Sequence, residues 1–367
     1  MKTKTTRARL AEAVQAVRGL VARDGLSAFS KIRLDASGCL SVTGSNEEVQ
    51  VEWRMDCEVA EQGAVTVPGA AFASFVGAMP EGIVEIARSG KLPRAKMEGG
   101  GVKFTLAAGE ASAFPVMAGP GSEKPLEIGV SLLREMLRKV RFAVSTDGTR
   151  KALEGVNVDL RDGILGMTAC DGRRLAHVEH EADAGVDMDF DVTLPAKAVG
   201  ALYGLLEKTD VSKRVTMFAD GKAVRVVGDQ WCMTAKVLAD AYPNWKKVVP
   251  GKLPHQIGIA RETFLEALGR VALASDEARG VRIRFSDSRA TFDAESEFTS
   301  ARADMAVSDR DGVTCELRVN PRLLKDALEA IDEDQFTLHT DGAEGTAIKI
   351  TCSLPWVAVV MPYRKEG

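Results

Sequence analysis

The sequence predicts an α+β chain of three similar domains, each with two helices packed on antiparallel sheets. Three observations lead there. A strand–proline–helix segment recurs at nearly constant spacing, an amphipathic helix opens each third of the chain, and short alternating strands bounded by turn residues fill the space between.

The recurring segments are "VTVPGAAFASFVGAMPEG" from Val65, "VTLPAKAVGALYGLLEK" from Val192 and "LRVNPRLLKDALEAIDED" from Leu317. Each reads as a β-rich tripeptide, a proline and an amphipathic helix. Proline suits a first helical turn, where its missing N–H is no loss and its φ is already helical. Pro68, Pro195 and Pro321 stand 127 and 126 residues apart. The opening helices show apolar side chains on one face: Leu10, Val14, Val17 and Val21, then Leu133, Leu137, Val140 and Val144, then Phe264, Leu268 and Val271. Strands alternate in "LSVTGSNEEVQVEWRM", "ILGMTACDGRRLAHVEH", "AVRVVGDQWCMTAKV", "VRIRFSDSRATFDAE" and "AIKITCSLPWVAVVMP". The Gly- and Pro-rich stretches 117–125 and 248–256 mark boundaries, giving domains 1–121, 125–250 and 255–367.

The 367 residues are 45% hydrophobic and 27% charged, an ordinary soluble composition. No run of about 18 apolar residues is present, and the basic N-terminus lacks the apolar core of a secretory signal. Six scattered cysteines without a CxxC pair fit a reduced, cytoplasmic protein. A net charge of −4 argues against a uniformly polyanion-binding surface but permits one basic face. Such a face is suggested by Arg134, Arg138 and Arg141 at i, i+4 and i+7, by Arg7 and Arg18 three turns apart, by Arg322 with Lys325, and by Lys197. One helical charge stripe is usually just solvated. Its recurrence on several pseudo-equivalent helices favours a shared purpose.

Signatures of chemistry are missing. The sequence contains no GxxxxGK[ST], GxSxG or HExxH, and "GGGVKF" reads only as a glycine-rich turn. His177 and His180 with Glu179 offer a metal-ligand spacing, but the acidic stretch after them reads as a solvated loop. The expectation is no catalytic residue, no metal and no cofactor. A metal-dependent nucleic-acid hydrolase stands as the rival. The hairpin "MTACDGRRLAHV" (167–178) sets two arginines beside the turn dipeptide Asp171-Gly172.

That hairpin resembles the "ATDGHRLA" turn of the bacterial DNA polymerase III beta subunits, the replicative sliding clamps. "DEARGVRIRF" (276–285), "AYPNWKKVVP" (241–250) and "VAVVMPYR" (357–364) resemble that family's "NEKFRGVRL", "FPDYRRVLP" and "VVMPMRL" segments. "VTVPGAAFASFVGAMPEG" and "SAFPVMAG" match its first domain, and the matches are collinear over nearly the whole chain. The resemblance implies a DNA-clamp fold that closes as a head-to-tail homodimeric ring around duplex DNA, without sequence specificity, and tethers polymerase. The helical cations above would line the channel.

It also implies partners that dock by a short peptide: the polymerase III alpha subunit, the clamp loader and other clamp-binding proteins. Their pocket would comprise Leu153, Gly172, Arg173, Arg174, Leu175, Pro243, Lys247, Val248, Asn320, Leu323, Val359, Val360, Met361, Pro362, Tyr363 and Arg364. Apolar Leu, Val, Met and Pro make a cleft, and methionine adapts to several ligands. Ala272 and Leu273 would meet Phe75 of a second copy. Departures from the family pattern are Cys170 for Thr, Arg173 for His, Leu323 for Tyr and Tyr363 for Met, and the family's DNA-contacting loop is poorly matched around Arg23. These changes motivate a further alternative, a phage or plasmid clamp-like docking scaffold.

Overall fold

Alternating side chains build the sheets. In β2 (Lys31–Ala36) Ile32, Leu34 and Ala36 point inward and are buried, while Lys31, Arg33 and Asp35 do not. The computed structural model describes residues 1–22, 27–89, 94–121, 124–183, 188–276, 280–309, 314–343, 345–353 and 355–363. Arg23 and Arg364 therefore lie outside the described residues.

The first stretch runs β1 (Lys2–Thr6), α1 (Arg7–Val17), β2, β3 (Leu40–Ser45), β4 (Val49–Met55), β5 (Glu58–Glu61), β6 (Gly63–Pro68), α2 (Gly69–Ala78), β7 (Ile83–Ser89), β8 (Arg94–Gly99), β9 (Val102–Ala107) and β10 (Gly109–Glu110). The middle follows as β11 (Leu126–Gly129), α3 (Val130–Arg141), β12 (Gly155–Arg161), β13 (Ile164–Cys170), β14 (Arg174–Glu181), β15 (Phe190–Pro195), α4 (Ala196–Leu206), β16 (Arg214–Ala219), β17 (Ala223–Val227) and β18 (Trp231–Lys236). The last stretch holds β19 (His255–Ala260), α5 (Arg261–Ala272), β20 (Val281–Ser286), β21 (Arg289–Glu295), β22 (Ser300–Ala306), β23 (Ser308–Asp309), β24 (Cys315–Val319), α6 (Pro321–Glu329), β25 (Gln335–Thr340), β26 (Ile348–Thr351) and β27 (Trp356–Val360).

All pairings are antiparallel among the described residues. The chain divides into two units, Met1–Arg134 with Lys197–Leu238, and Glu135–Ala196 with Ala239–Gly367. The first holds a five-stranded sheet, β5-β1-β7-β8-β9, and a nine-stranded one, β10-β6-β2-β3-β4-β18-β17-β16-β11. The second holds a nine-stranded sheet, β15-β12-β13-β14-β27-β26-β25-β19-β23, and a four-stranded one, β22-β21-β20-β24. The segment 125–250 thus contributes strands to both units. Eight strands of one large sheet repeat in the other in the same order, and the repeat extends to register. Val49 pairs with Ala235 in the first, and Arg174 with Val360 in the second, a displacement of 125 residues in both strands.

The helices cover these sheets with the expected faces. In α1 the buried set is Leu10, Ala13, Val14 and Val17, and in α5 it is Phe264, Ala267, Leu268 and Val271. Each fully buried Leu, Val or Phe among them contributes about 1.5–3 kcal/mol. Thr6 caps α1 by accepting the Arg9 N–H. The α-helix stops at Val17, four residues short of Val21. A 3-10 turn, Arg18–Leu20, follows, and the poor helix former Gly19 lies within it.

The prolines differ from expectation. Pro321 alone occupies the first turn of its helix, behind the Asn320 cap. Pro68 and Pro195 are the last residues of β6 and β15, opposite Lys31 and Gly155. A residue without an N–H ends the ladder there, and the helix begins one residue later.

Gly44 of β3 shows how closely α1 sits on its sheet: a Cβ there would lie 2.8 Å from the Val17 Cβ and 3.0 Å from its carbonyl oxygen. Gly44→Ala is expected to lower stability by about 1–3 kcal/mol through overpacking, read as a reduced midpoint in urea unfolding.

Candidate functional site

The hairpin singled out in the sequence is β13–turn–β14. Asp171 makes the turn: its Oδ1 accepts the N–H groups of Arg173 and Arg174 at 2.8 and 2.9 Å. Gly172 holds φ +88°, which favours glycine. The two arginines then part. Arg173 is exposed. Arg174 turns inward, its Nε on Asp171 at 3.0 Å, its Nη1 on Asp326 of α6 at 2.5 Å and its guanidinium over the Phe142 ring at 5.3 Å. Arg174 is thus a structural tie between the hairpin and α6, and Arg173 is the member of the pair exposed at the surface.

Strand β27 zips against β14, with Leu175 opposite Val359 and Arg174 opposite Val360. The ladder continues one step as the Met361 N–H donates to the Arg173 carbonyl at 2.8 Å. Beyond it the Tyr363 N–H donates to Arg318 at 2.7 Å. Asn320 caps α6 through its Oδ1 and the Arg322 N–H, at 3.0 Å. Leu323 lies half-buried one turn on.

The residues expected in the pocket therefore fall into two layers. Leu153, Leu175, Val359 and Val360 are buried. Arg174, Asn320, Leu323, Pro362 and Tyr363 are half-buried, and Gly172, Arg173, Pro243, Lys247, Val248 and Met361 are exposed. Of the apolar residues in this set, Met361 is 37% exposed and Val248 49% exposed.

The connecting segment that carries Pro243, Lys247 and Val248 is anchored by Trp245, whose ring stacks on His177 at 3.9 Å. His177 also contacts Thr168 through Nδ1 at 2.9 Å and faces Glu179 and Lys246. Burial lowers its pKa, and Glu179 opposes that only in part. The anchor was not visible in the sequence, where His177 suggested a metal ligand. Among the described residues no three His, Cys, Asp or Glu side chains converge as a metal site. Burial also pushes the Cys170 thiol up, which keeps it protonated and unreactive.

Several of the helical cations are already spoken for. Arg7 pairs with Glu81 at 2.9 Å, Lys197 with Glu48 at 3.4 Å and Lys325 with Glu329 at 3.6 Å. Arg138 grips Asp332 with both terminal nitrogens. Arg18, Arg141 and Arg322 are exposed, and Arg134 is half-buried.

The edge residues lie beside strands that, among the described residues, are paired on one side. Phe75 of α2 stacks on Phe104 of β9 at 4.3 Å, and β9 is an outer strand of the five-stranded sheet. Ala272 is half-buried at the end of α5, and Leu273 just beyond is 88% exposed. That helix packs on β22, an outer strand of the four-stranded sheet. Phe298, in the β21–β22 turn, is 87% exposed. Phe104 and Phe298 went unnoticed in the sequence; an aromatic residue inside the turn "ESEFTS" was the available signal for the second.

The six α-helices and the antiparallel sheets among the described residues have the architecture of solved DNA-polymerase sliding clamps. Models of the N-terminal, central and C-terminal domains of the DNA polymerase III beta subunit match residues 1–118, 127–244 and 246–364. The chain belongs to the DNA polymerase III beta subunit family. The beta sliding clamp of Caulobacter vibrioides is 27% identical over 373 residues, covering 99% of this chain and 100% of that protein. That of Pseudomonas aeruginosa is 27% identical over 361 residues, 97% of either chain.

Among solved structures, the Pseudomonas aeruginosa beta subunit superposes over 100% of both chains with TM-score 0.92 at 26% identity. A sliding clamp from that organism bound to griselimycin does so over 100% of both chains with TM-score 0.93 at 25% identity. The family consists of non-catalytic processivity subunits, and membership favours this role over the metal-dependent hydrolase and the docking-scaffold alternatives.

His177 makes one outcome measurable. Its folded pKa lies below its unfolded value of about 6.5, so the unfolded state takes up the proton first. The stability due to this site is complete above about pH 6.5 and is lost as pH falls through the folded pKa. Urea unfolding of the wild type should lose more stability between pH 7.5 and 5 than that of His177→Phe, and equal losses would remove His177 from the pH response.

Proposed function

We propose that two copies of the chain close head to tail into a ring around duplex DNA, and that the ring tethers the polymerase III alpha subunit, the clamp loader and other partners through a peptide seated at the β14–β27 junction. The reading is carried by the strand count. Two nine-stranded sheets are complete within the chain, whereas a five- and a four-stranded sheet are left over. Joining β9 of one copy to β22 of another makes a third sheet of nine strands and satisfies two open ladders. Phe75 and Phe104 on one side, and Ala272, Leu273 and Phe298 on the other, supply the apolar contact along that seam. Closure of this kind also fits three domains spanning 1–121, 125–250 and 255–367, each flanked by such a junction.

Within the ring, Arg7, Arg18, Arg134, Arg138, Arg141, Lys197, Arg322 and Lys325 serve as phosphate contacts. Ion pairs that hold Arg7, Arg138, Lys197 and Lys325 mute their attraction, which suits a ring that slides. Docking of a partner peptide uses Met361 and Val248 as apolar contacts and Arg173 as a cation for a carboxylate or carbonyl.

Light scattering should give a mass near twice 39.3 kDa, and Leu273→Asp combined with Phe298→Asp should halve it without loss of circular dichroism. Retention on nicked circular DNA, with release after linearisation, tests the ring itself; equal retention on both forms defeats it. Met361→Asp should weaken binding of a polymerase alpha-subunit peptide at least tenfold while the dimer persists.

A further inference from the structure

The junction that carries the proposed peptide pocket has a counterpart in the first unit. At β14–β27, Asp171 accepts the N–H groups of Arg173 and Arg174, and the Met361 N–H donates to the Arg173 carbonyl. At β4–β18, Asn46 Oδ1 accepts the N–H groups of Glu48 and Val49 at 2.8 and 2.7 Å, and the Lys236 N–H donates to the Glu48 carbonyl at 2.9 Å. Each residue is displaced by the same 125 positions. A 3-10 turn leads into the sheet in both cases, Ala28–Ser30 before β2 and Lys151–Leu153 before β12, and within these turns the Phe29 and Leu153 carbonyls accept the N–H groups of Ala22 and Ser145, each at 3.0 Å. An aromatic–proline pair opens the connecting segment in both, Phe114-Pro115 and Tyr242-Pro243.

Carried across by these landmarks, Leu153, Gly172, Pro243, Lys247 and Met361 correspond to Phe29, Glu47, Pro115, Gly119 and Lys236. All five of the latter line one cavity of about 600 Å³. The segment above it is pinned by the Met117 N–H on Gln50 Oε1 at 3.1 Å and the Gly121 N–H on Asp220 Oδ2 at 2.7 Å. Val116 nevertheless stands 70% exposed at the opening.

We infer that the β4–β18 junction is a second docking groove, for an extended segment of a partner protein that alternates apolar and acidic side chains. The inference rests on the reading of the β14–β27 junction as a peptide pocket. Phe29, Pro115, Val116 and Met117 provide the apolar wall, and exposed Lys222 and Lys236 stand at the same cavity. Two carboxylates share the lining, Asp220 and exposed Glu47, and the oxygens of Asp220 are directed onto the N–H groups of Gly121, Lys222 and Ala223. An extended chain turns successive side chains to opposite faces, so an alternating segment sets its apolar groups on the wall and its carboxylates toward the lysines. Lys236 in the place of Met361, and Glu48 in the place of Arg173, give the two grooves different preferences.

A benzophenone-tagged hexapeptide pool alternating leucine or phenylalanine with aspartate tests this on the intact protein, with cross-links mapped by mass spectrometry. Cross-links are expected on the 115–119 segment as well as near Met361. Those on 115–119 should fall at least tenfold in Val116→Asp and in Lys236→Glu, while those near Met361 stay unchanged. Cross-links confined to the Met361 region, or on 115–119 but indifferent to both variants, overturn the inference, as does equal labelling there by an all-aspartate pool. Cross-links on 115–119 alone would support this groove and count against the peptide pocket at β14–β27.

Discussion

Two antiparallel strand ladders, β4 on β18 and β14 on β27, hold the rest of the structure in place. Each joins strands far apart in sequence and turns two short sheets into one of nine strands. A single backbone hydrogen bond adds only about 0.5–1.5 kcal/mol, but a ladder fixes register and therefore every side chain along it. At β14–β27 that register sets Leu175 and Val359 inside and carries Met361 out to the surface.

Main-chain pairing also explains what the chain leaves unfinished. Edge strands invite further pairing, and natural proteins cover or disrupt them. Here β9 and β22 are outer strands flanked by stacked Phe75 and Phe104 or by exposed Leu273 and Phe298. Exposed apolar groups beside an open ladder are costly for an isolated chain and useful for one that meets its own copy.

Charge follows a similar division. The chain carries 48 basic and 52 acidic side chains, so any basic face must be made by placement. Asp332 on Arg138, Glu81 on Arg7 and Glu329 on Lys325 show that many helical cations are locally balanced. Exposed ion pairs of this kind add little stability, with a typical contribution of about 0–1 kcal/mol.

By itself the sequence determined the repeat, the helix faces and most strands, because periodicity of apolar residues is local information. Leu10, Val14 and Val17 or Ile32 and Leu34 declare their element without help from distant residues. The hairpin at Asp171-Gly172 was legible for the same reason. Tertiary structure alone decided which of these are surface. It buried Leu175 and Val360, turned Arg174 onto Asp326, set Trp245 on His177, and tied up Arg138 with Asp332. Each outcome depends on a partner from 68 to 194 residues away or on a neighbouring strand, and no local pattern encodes such a meeting. The same holds for the match between the two junctions: the repeat is written along the chain, but only paired strands reveal that it extends to individual hydrogen bonds.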